Sequence, residues 1–196
     1  PMSTSPEPVG SPQGSRRAVR LAVAVAALGY LVDLYDLILF SIVRVKSLQA
    51  IGVTDAADLL TQGVFLINMQ MAGMLLGGIL WGVLGDRRGR LSVLFGSIFL
   101  YSVANLANAF VQTVPQYAVL RFIAGIGLAG ELGAGITLVS EVMPKETRGY
   151  GTMIVATVGI LGAIVAALVG DLFDWRTSYI VGGLLGILLL FLLIGV

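Results

Sequence analysis

The chain has 196 residues and contains neither cysteine nor histidine. Without cysteine there are no disulfides and no thiolate catalysis, and without either residue most zinc and copper chemistry is excluded. Charge is also scarce, at 12% of residues. A soluble domain usually carries about 25%. So few charges leave too little polar surface to cover a globule in water. No basic stripe with interleaved aromatics is present, so nucleic acid is not expected as a partner. No nucleophile–base set or metal cluster can be assembled, so the sequence does not read as an enzyme, and no metal or cofactor is expected.

What fills the chain is apolar: 57% hydrophobic residues and 26 glycines. Glycine is common in membrane helices, where it lets backbones approach closely. A bilayer core of about 30 Å needs about 20 apolar residues per crossing. Six stretches qualify: Leu21–Val43, Val64–Leu84, Leu91–Val111, Tyr117–Val139, Tyr150–Val169 and Tyr179–Val196. The expected fold is an all-α membrane protein, a bundle of six transmembrane helices over residues 19–196. Residues 1–18, rich in Pro, Ser and Gly, read as a disordered tail, with Pro1 as a tag scar ahead of Met2.

Most links between the stretches are short, which predicts antiparallel neighbours in an up-and-down bundle. The longest, Arg44–Gly63, contains Thr54-Asp55-Ala56-Ala57-Asp58, a capped helix start. One side collects Arg16, Arg17, Arg20, Arg87, Arg88, Arg90, Lys145 and Arg148, and the other Arg44, Lys46 and Arg176. The positive-inside rule then predicts a plasma (inner) membrane protein with both termini cytoplasmic. Small residues four apart predict tight helix contacts: Gly73 and Gly77, Gly78 and Gly82, Gly162 with Ala166 and Gly170, Gly182 and Gly186.

Charges inside the apolar stretches are the candidate chemistry. Each costs about 2.5–3.5 kcal/mol at mid-membrane, so Asp33, Asp36, Arg121 and Glu131 should face protein or a wet cavity. At 1.5 Å per residue, Asp36 lies about 22 Å from one boundary, and Arg121 about 6 Å from the other. The two are level, and an Asp36–Arg121 ion pair is geometrically feasible. Asp33 sits nearer the midplane, and Glu131 lies about 21 Å in, in the opposite half from Arg121. Asp33 and Asp36 are about 60° apart around their helix and could border one cavity, with Tyr30 and Phe40 near that face. Two readings of these acids are open. Asp36–Arg121 is either a fixed brace or a switch whose carboxylate changes protonation, and Glu131 is either a packed group or part of the pathway. Asn68, Gln70, Asn105 and Asn108 read as interhelical hydrogen-bond partners.

Four segments carry a resemblance. Gly82-Val83-Leu84-Gly85-Asp86-Arg87-Arg88-Gly89-Arg90 matches the signature Gly-x-x-x-Asp-Arg-x-Gly-Arg of the major facilitator superfamily. Arg121 with Gly125-Ile126-Gly127 resembles the fourth-helix motif of its proton-coupled members. Glu141-Val142-Met143-Pro144-Lys145-Glu146-Thr147-Arg148-Gly149 and Tyr35-Asp36 resemble segments of its sugar-porter and metabolite–proton-symporter branches. The chain is thereby identified as the N-terminal six-helix half of such a transporter. The resemblance implies alternating access for a small polar solute such as a sugar or organic acid, coupled to protons. It implies a gate latch at Gly82, Asp86, Arg87, Gly89, Arg90, Glu141 and Arg148. The solute and proton pathway would involve Asp33, Asp36, Arg121, Tyr30, Tyr35 and Glu131. It also implies a second six-helix half, either a missing C-terminal half or a second copy in a homodimer, since a lone half would turn Asp33, Asp36 and Arg121 toward lipid. A non-transporting scaffold or an uncoupled uniporter is the competing expectation.

Overall fold

The structure is a computed structural model, and it describes residues 12–194. Six helices follow in order: α1 (Pro12–Ala50), α2 (Ala56–Arg88), α3 (Arg90–Asn108), α4 (Val114–Val142), α5 (Arg148–Leu172) and α6 (Trp175–Ile194). All six are long and apolar enough to cross a membrane. Among the described residues there is no strand.

Helix ends follow local chemistry. The capped start expected at Thr54–Asp58 is present: Asp55 precedes α2, and its carboxylate accepts from the backbone N–H groups of Ala57 and Asp58. Thr113 caps α4 through Gln116 N–H at 3.4 Å, with Pro115 in the first turn, where its missing N–H costs nothing. Asp174 accepts from the N–H groups of Arg176 and Thr177 at the start of α6.

Several helix boundaries differ from expectation, two of them near candidate residues. α1 starts at Pro12, so residues 12–18 are helical rather than tail. Proline suits a first turn, and Gln and Arg are good helix formers despite the polar composition. The remainder of the expected tail, residues 1–11, lies outside the described residues. α2 runs on through Asp86, Arg87 and Arg88, so the link expected between Leu84 and Leu91 shrinks to Gly89 alone. Gly89 sits at φ +86°, a backbone region that favours glycine, and there it reverses the chain between two helices. Asp86 therefore stands in the last turn of α2, not ahead of α3.

Packing departs from an up-and-down bundle. Consecutive helices run antiparallel, but among them only α3 and α4 pack closely. The main contacts are α1 with α5, α2 with α4, α3 with α4, and α3 with α6. A short link only requires two helix ends to be close. It does not make the helices pack along their length, and the small-residue faces decide that. Gly73 and Gly77 of α2 lie on the backbone of Phe122 and Ile126 in α4. Gly162 of α5 lies on the backbone of Leu31 in α1, and Gly170 meets Leu39 and Ile42. Gly182 and Gly186 of α6 fit against Asn105, Tyr35 and Ser102. Gly78 and Gly82 are the exception to the expected pattern, since both are exposed and face open space.

Any side chain at Gly162 or Gly77 would meet backbone, which cannot give way. Gly162→Val and Gly77→Val are each expected to lower stability by about 1–3 kcal/mol. Gly78→Ala should stay within about 0.5 kcal/mol of the parent. Unfolding in mixed micelles, followed by circular dichroism, checks the contrast.

Candidate functional site

The anticipated Asp36–Arg121 pair forms, and it is fully buried. The arginine grips the carboxylate with two nitrogens. Nη1 donates to Oδ1 at 3.1 Å and Nη2 to Oδ2 at 2.8 Å. Such a two-pronged contact suits the planar guanidinium. Gln70 of α2 completes a ring: its Nε2 donates to Asp36 Oδ2 at 3.0 Å, and its Oε1 accepts from Arg121 Nη2. Three helices, α1, α2 and α4, are thus joined at one point. The Phe40 ring lies 4.4 Å from the Arg121 guanidinium carbon, and the Tyr179 ring 6.0 Å. A cation above an aromatic face is stabilised by the ring quadrupole.

The other named residues fall around this centre. Tyr35 is buried, and its hydroxyl donates to the backbone oxygen of Ser178 at 2.8 Å, tying α1 to α6. Tyr30 is half-buried, with its ring against Gly159 of α5. Asp33 and Glu131 are both buried and face one another across α1 and α4. The depth estimate separated them, but side chains on a helix lean toward its N-terminus. α1 and α4 run in opposite directions, so the two acids lean toward each other. None of their four oxygens has a hydrogen-bond partner among the described residues.

One expectation about these charges is overturned. Asp33, Asp36 and Arg121 were expected to face lipid in an isolated half, yet all three are buried within these six helices. Gln70 of α2, Tyr179 of α6 and Phe40 of α1 itself close over the Asp36–Arg121 pair.

The polar amides divide. Gln70 bridges helices, as anticipated, but as a member of the site. Asn105 donates within its own helix to Tyr101 at 2.7 Å, Asn68 is exposed, and the buried Asn108 amide has no partner among the described residues.

A second polar cluster was missed by sequence reasoning. Ser47, Tyr117 and Tyr179 link α1, α4 and α6 through their hydroxyls. Ser47 spends its proton on the Arg44 carbonyl at 2.9 Å. Ser47 can then only accept from Tyr117, and Tyr117 only from Tyr179. The chain of bonds therefore has one direction. Tyrosine at a helix start reads as ordinary interfacial packing, so no local pattern announces this cluster.

At the opposite end of the bundle, Arg90 reaches Asp86 at 3.5 Å and Glu141 at 3.7 Å, joining the end of α2, α3 and the end of α4. Arg87, Arg88 and Gly89 are exposed beside it, and Gly82 faces open space. Arg148, at the start of α5, keeps its guanidinium Nε buried with no partner among the described residues. Partly exposed pairs of this kind contribute about 0–1 kcal/mol each. They are weak enough to open and close.

Removing one partner of a buried ion pair strands the other. Arg121→Ala is expected to cost about 3–5 kcal/mol. Gln70→Leu should cost about 1–3 kcal/mol, through lost hydrogen bonds to charged groups. The double change Asp36→Asn with Arg121→Gln should recover much of the loss, because no charge is left unpaired. Unfolding midpoints of the purified variants in detergent give the comparison.

This arrangement can be set beside known proteins. The chain is 32% identical over 164 residues to the niacin transporter NiaP of Acinetobacter baylyi, covering 82% of this chain and 36% of that protein. A putative metabolite transport protein of Haemophilus influenzae is 34% identical over 165 residues, covering 82% and 39%. The sialic acid transporter NanX of Escherichia coli is 28% identical over 168 residues, covering 83% and 40%. These relatives are transporters, not enzymes. Among solved structures, the partially occluded inward-open form of the E. coli xylose transporter XylE superposes with a TM-score of 0.79 at 22% identity, over 91% of this chain and 50% of that one. That likeness speaks for the fold alone. The chain spans about two-fifths of the length of these curated relatives and half of that structure. The family model of the Major Facilitator Superfamily matches residues 21–196, and the chain belongs to that family.

Proposed function

We propose that the chain forms one six-helix half of a secondary transporter, which moves a small polar solute by alternating access and couples it to protons. The observation that carries this reading is the buried Asp36–Arg121–Gln70 ring, with two further buried acids beside it. Ionisable groups at membrane depth are costly and mark solute or proton paths. The relatives' names include niacin, sialic acid and benzoate, so an organic acid is the favoured solute within the sugar-or-acid class. An acid of that kind carries a carboxylate for which Arg121 is the matching cation.

In this reading Asp33, Asp36, Arg121, Tyr30, Tyr35 and Glu131 border the pathway. Tyr35 acts through its tie to α6, which holds the Asp36 turn in place. The cluster of Asp86, Arg90 and Glu141 is the latch, with Arg87, Gly89 and Arg148 around it. The chain's basic end faces the cytoplasm of a plasma membrane. A second six-helix half, from a longer chain or from a second copy, completes the path.

The test is proton-coupled uptake in liposomes. The chain is reconstituted alone and together with a C-terminal half, under an imposed pH gradient, against a panel of aromatic and sugar acids and neutral sugars. Acid-driven uptake of at least one organic acid is expected, and Arg121→Lys should lower it at least tenfold by losing the two-pronged grip. Absence of flux in both arrangements, with the helices intact, would favour a non-transporting scaffold. Flux indifferent to the pH gradient would favour a uniporter.

A further inference from the structure

Four charged side chains are buried among the described residues: Asp33, Asp36, Arg121 and Glu131. They do not balance, since three are acids and one is a base. Arg121 commits both terminal nitrogens to Asp36 and Gln70. Asp33 and Glu131 are left facing each other with no cation.

We propose that Asp33 and Glu131 form a single proton-binding dyad that holds a hydrogen ion between their carboxyls, separate from the Asp36–Arg121 ion pair. Donor count is the first argument. No N–H or O–H group among the described residues reaches any of the four carboxyl oxygens. A bond between two carboxyls needs a proton on one of them. The proton adds to an oxygen of one group as O–H, and an oxygen of the other accepts it.

Solvation is the second argument. Taking even one bare carboxylate out of water costs several kcal/mol, and two adjacent like charges add repulsion. One shared proton removes one charge and gives the other a strong hydrogen bond. The surroundings offer no alternative. Gly29 of α1, one turn before Asp33, lies against the Glu131 carboxyl, and Leu189 of α6 lies against Gly29. The titratable groups within electrostatic reach are Asp36 and Tyr101, and Tyr101 accepts from Asn105. Gln70 of α2 is engaged with Asp36 and Arg121. The only ionisable residues of α5 and α6 are Arg148, Tyr150, Asp171, Arg176 and Tyr179. All but Tyr179 lie at helix ends, and Tyr179 belongs to the Ser47–Tyr117 chain.

The division of labour follows from geometry. Asp36 accepts three hydrogen bonds from Arg121 and Gln70. The dyad has no such donors and can release its proton only when water or a cation enters between α1 and α4. Calling this proton the transported one rests on the proposed function, but the dyad itself does not.

Infrared spectroscopy of the chain in lipid nanodiscs tests the dyad without any flux. At neutral pH the chain should show the carbonyl stretch of an un-ionised carboxyl shielded from water, shifting on transfer to heavy water. Asp33→Asn with Glu131→Gln should abolish it, and Asp36→Asn with Arg121→Gln should leave it in place. Each single variant, Asp33→Asn or Glu131→Gln, should move its frequency, which keeps the test alive if the double variant does not fold. The dyad is overturned by no such band at neutral pH, by a band surviving the dyad double variant, or by unmoved frequencies in both single variants. Loss of the band in the Asp36–Arg121 double variant, with helicity retained, overturns it as well. A chain with the band but no acid-driven uptake would refute the proposed function and leave the dyad standing.

Discussion

A charge inside a bilayer has no water to turn to, and the architecture of this protein depends on that constraint. Arg121 is held at full burial only because Asp36 and Gln70 meet it from two other helices. The ring has no redundancy: each partner satisfies the others, and each comes from a different helix. Its cost of rupture sets how firmly α1, α2 and α4 hold together at that level. Phe40 and Tyr179 then serve as its lid, replacing solvent with ring faces.

Around this polar centre, cohesion comes from close backbone approach. Lipid tails are as apolar as leucine, so burial of apolar side chains offers little drive between helices. Contact area has to come from fit, and glycine supplies it on α2, α5 and α6. The same glycines explain why α1 prefers α5 and α2 prefers α4 over their sequence neighbours. Hydroxyl and guanidinium ties then stiffen the end that carries the α3–α4 and α5–α6 links, through Ser47, Tyr117, Tyr179, and Arg176 on the Ala109 and Val111 carbonyls. Among the described residues, the end with the Gly82–Arg90 segment is joined by partly exposed ion pairs. The two ends therefore differ in how readily they separate, as alternating access in the proposed function would require.

Much of this was legible in the residues. Six crossings follow from run length, because a helix must span the hydrocarbon and nothing but apolar side chains tolerates it. The Asp36–Arg121 pair was legible from depth, since rise per residue fixes height and an unpaired charge there is prohibitive. Height alone does not give direction, however. That is why Glu131 was placed away from Asp33, when the opposed lean of side chains on α1 and α4 brings them together.

The sequence by itself determined the membrane class, the number of helices, the family signature and the identity of the buried charges, because these depend on composition and on spacing along one chain. Only the tertiary structure decided who meets whom. It put Gln70 into the ion-pair ring and left Asn68 outside. It set Gly73 and Gly77 against a helix while Gly78 and Gly82 face open space. It left two acids without a cation. Those outcomes depend on the rotation of each helix about its axis, and that rotation is fixed by all the contacts acting together, not by any one segment.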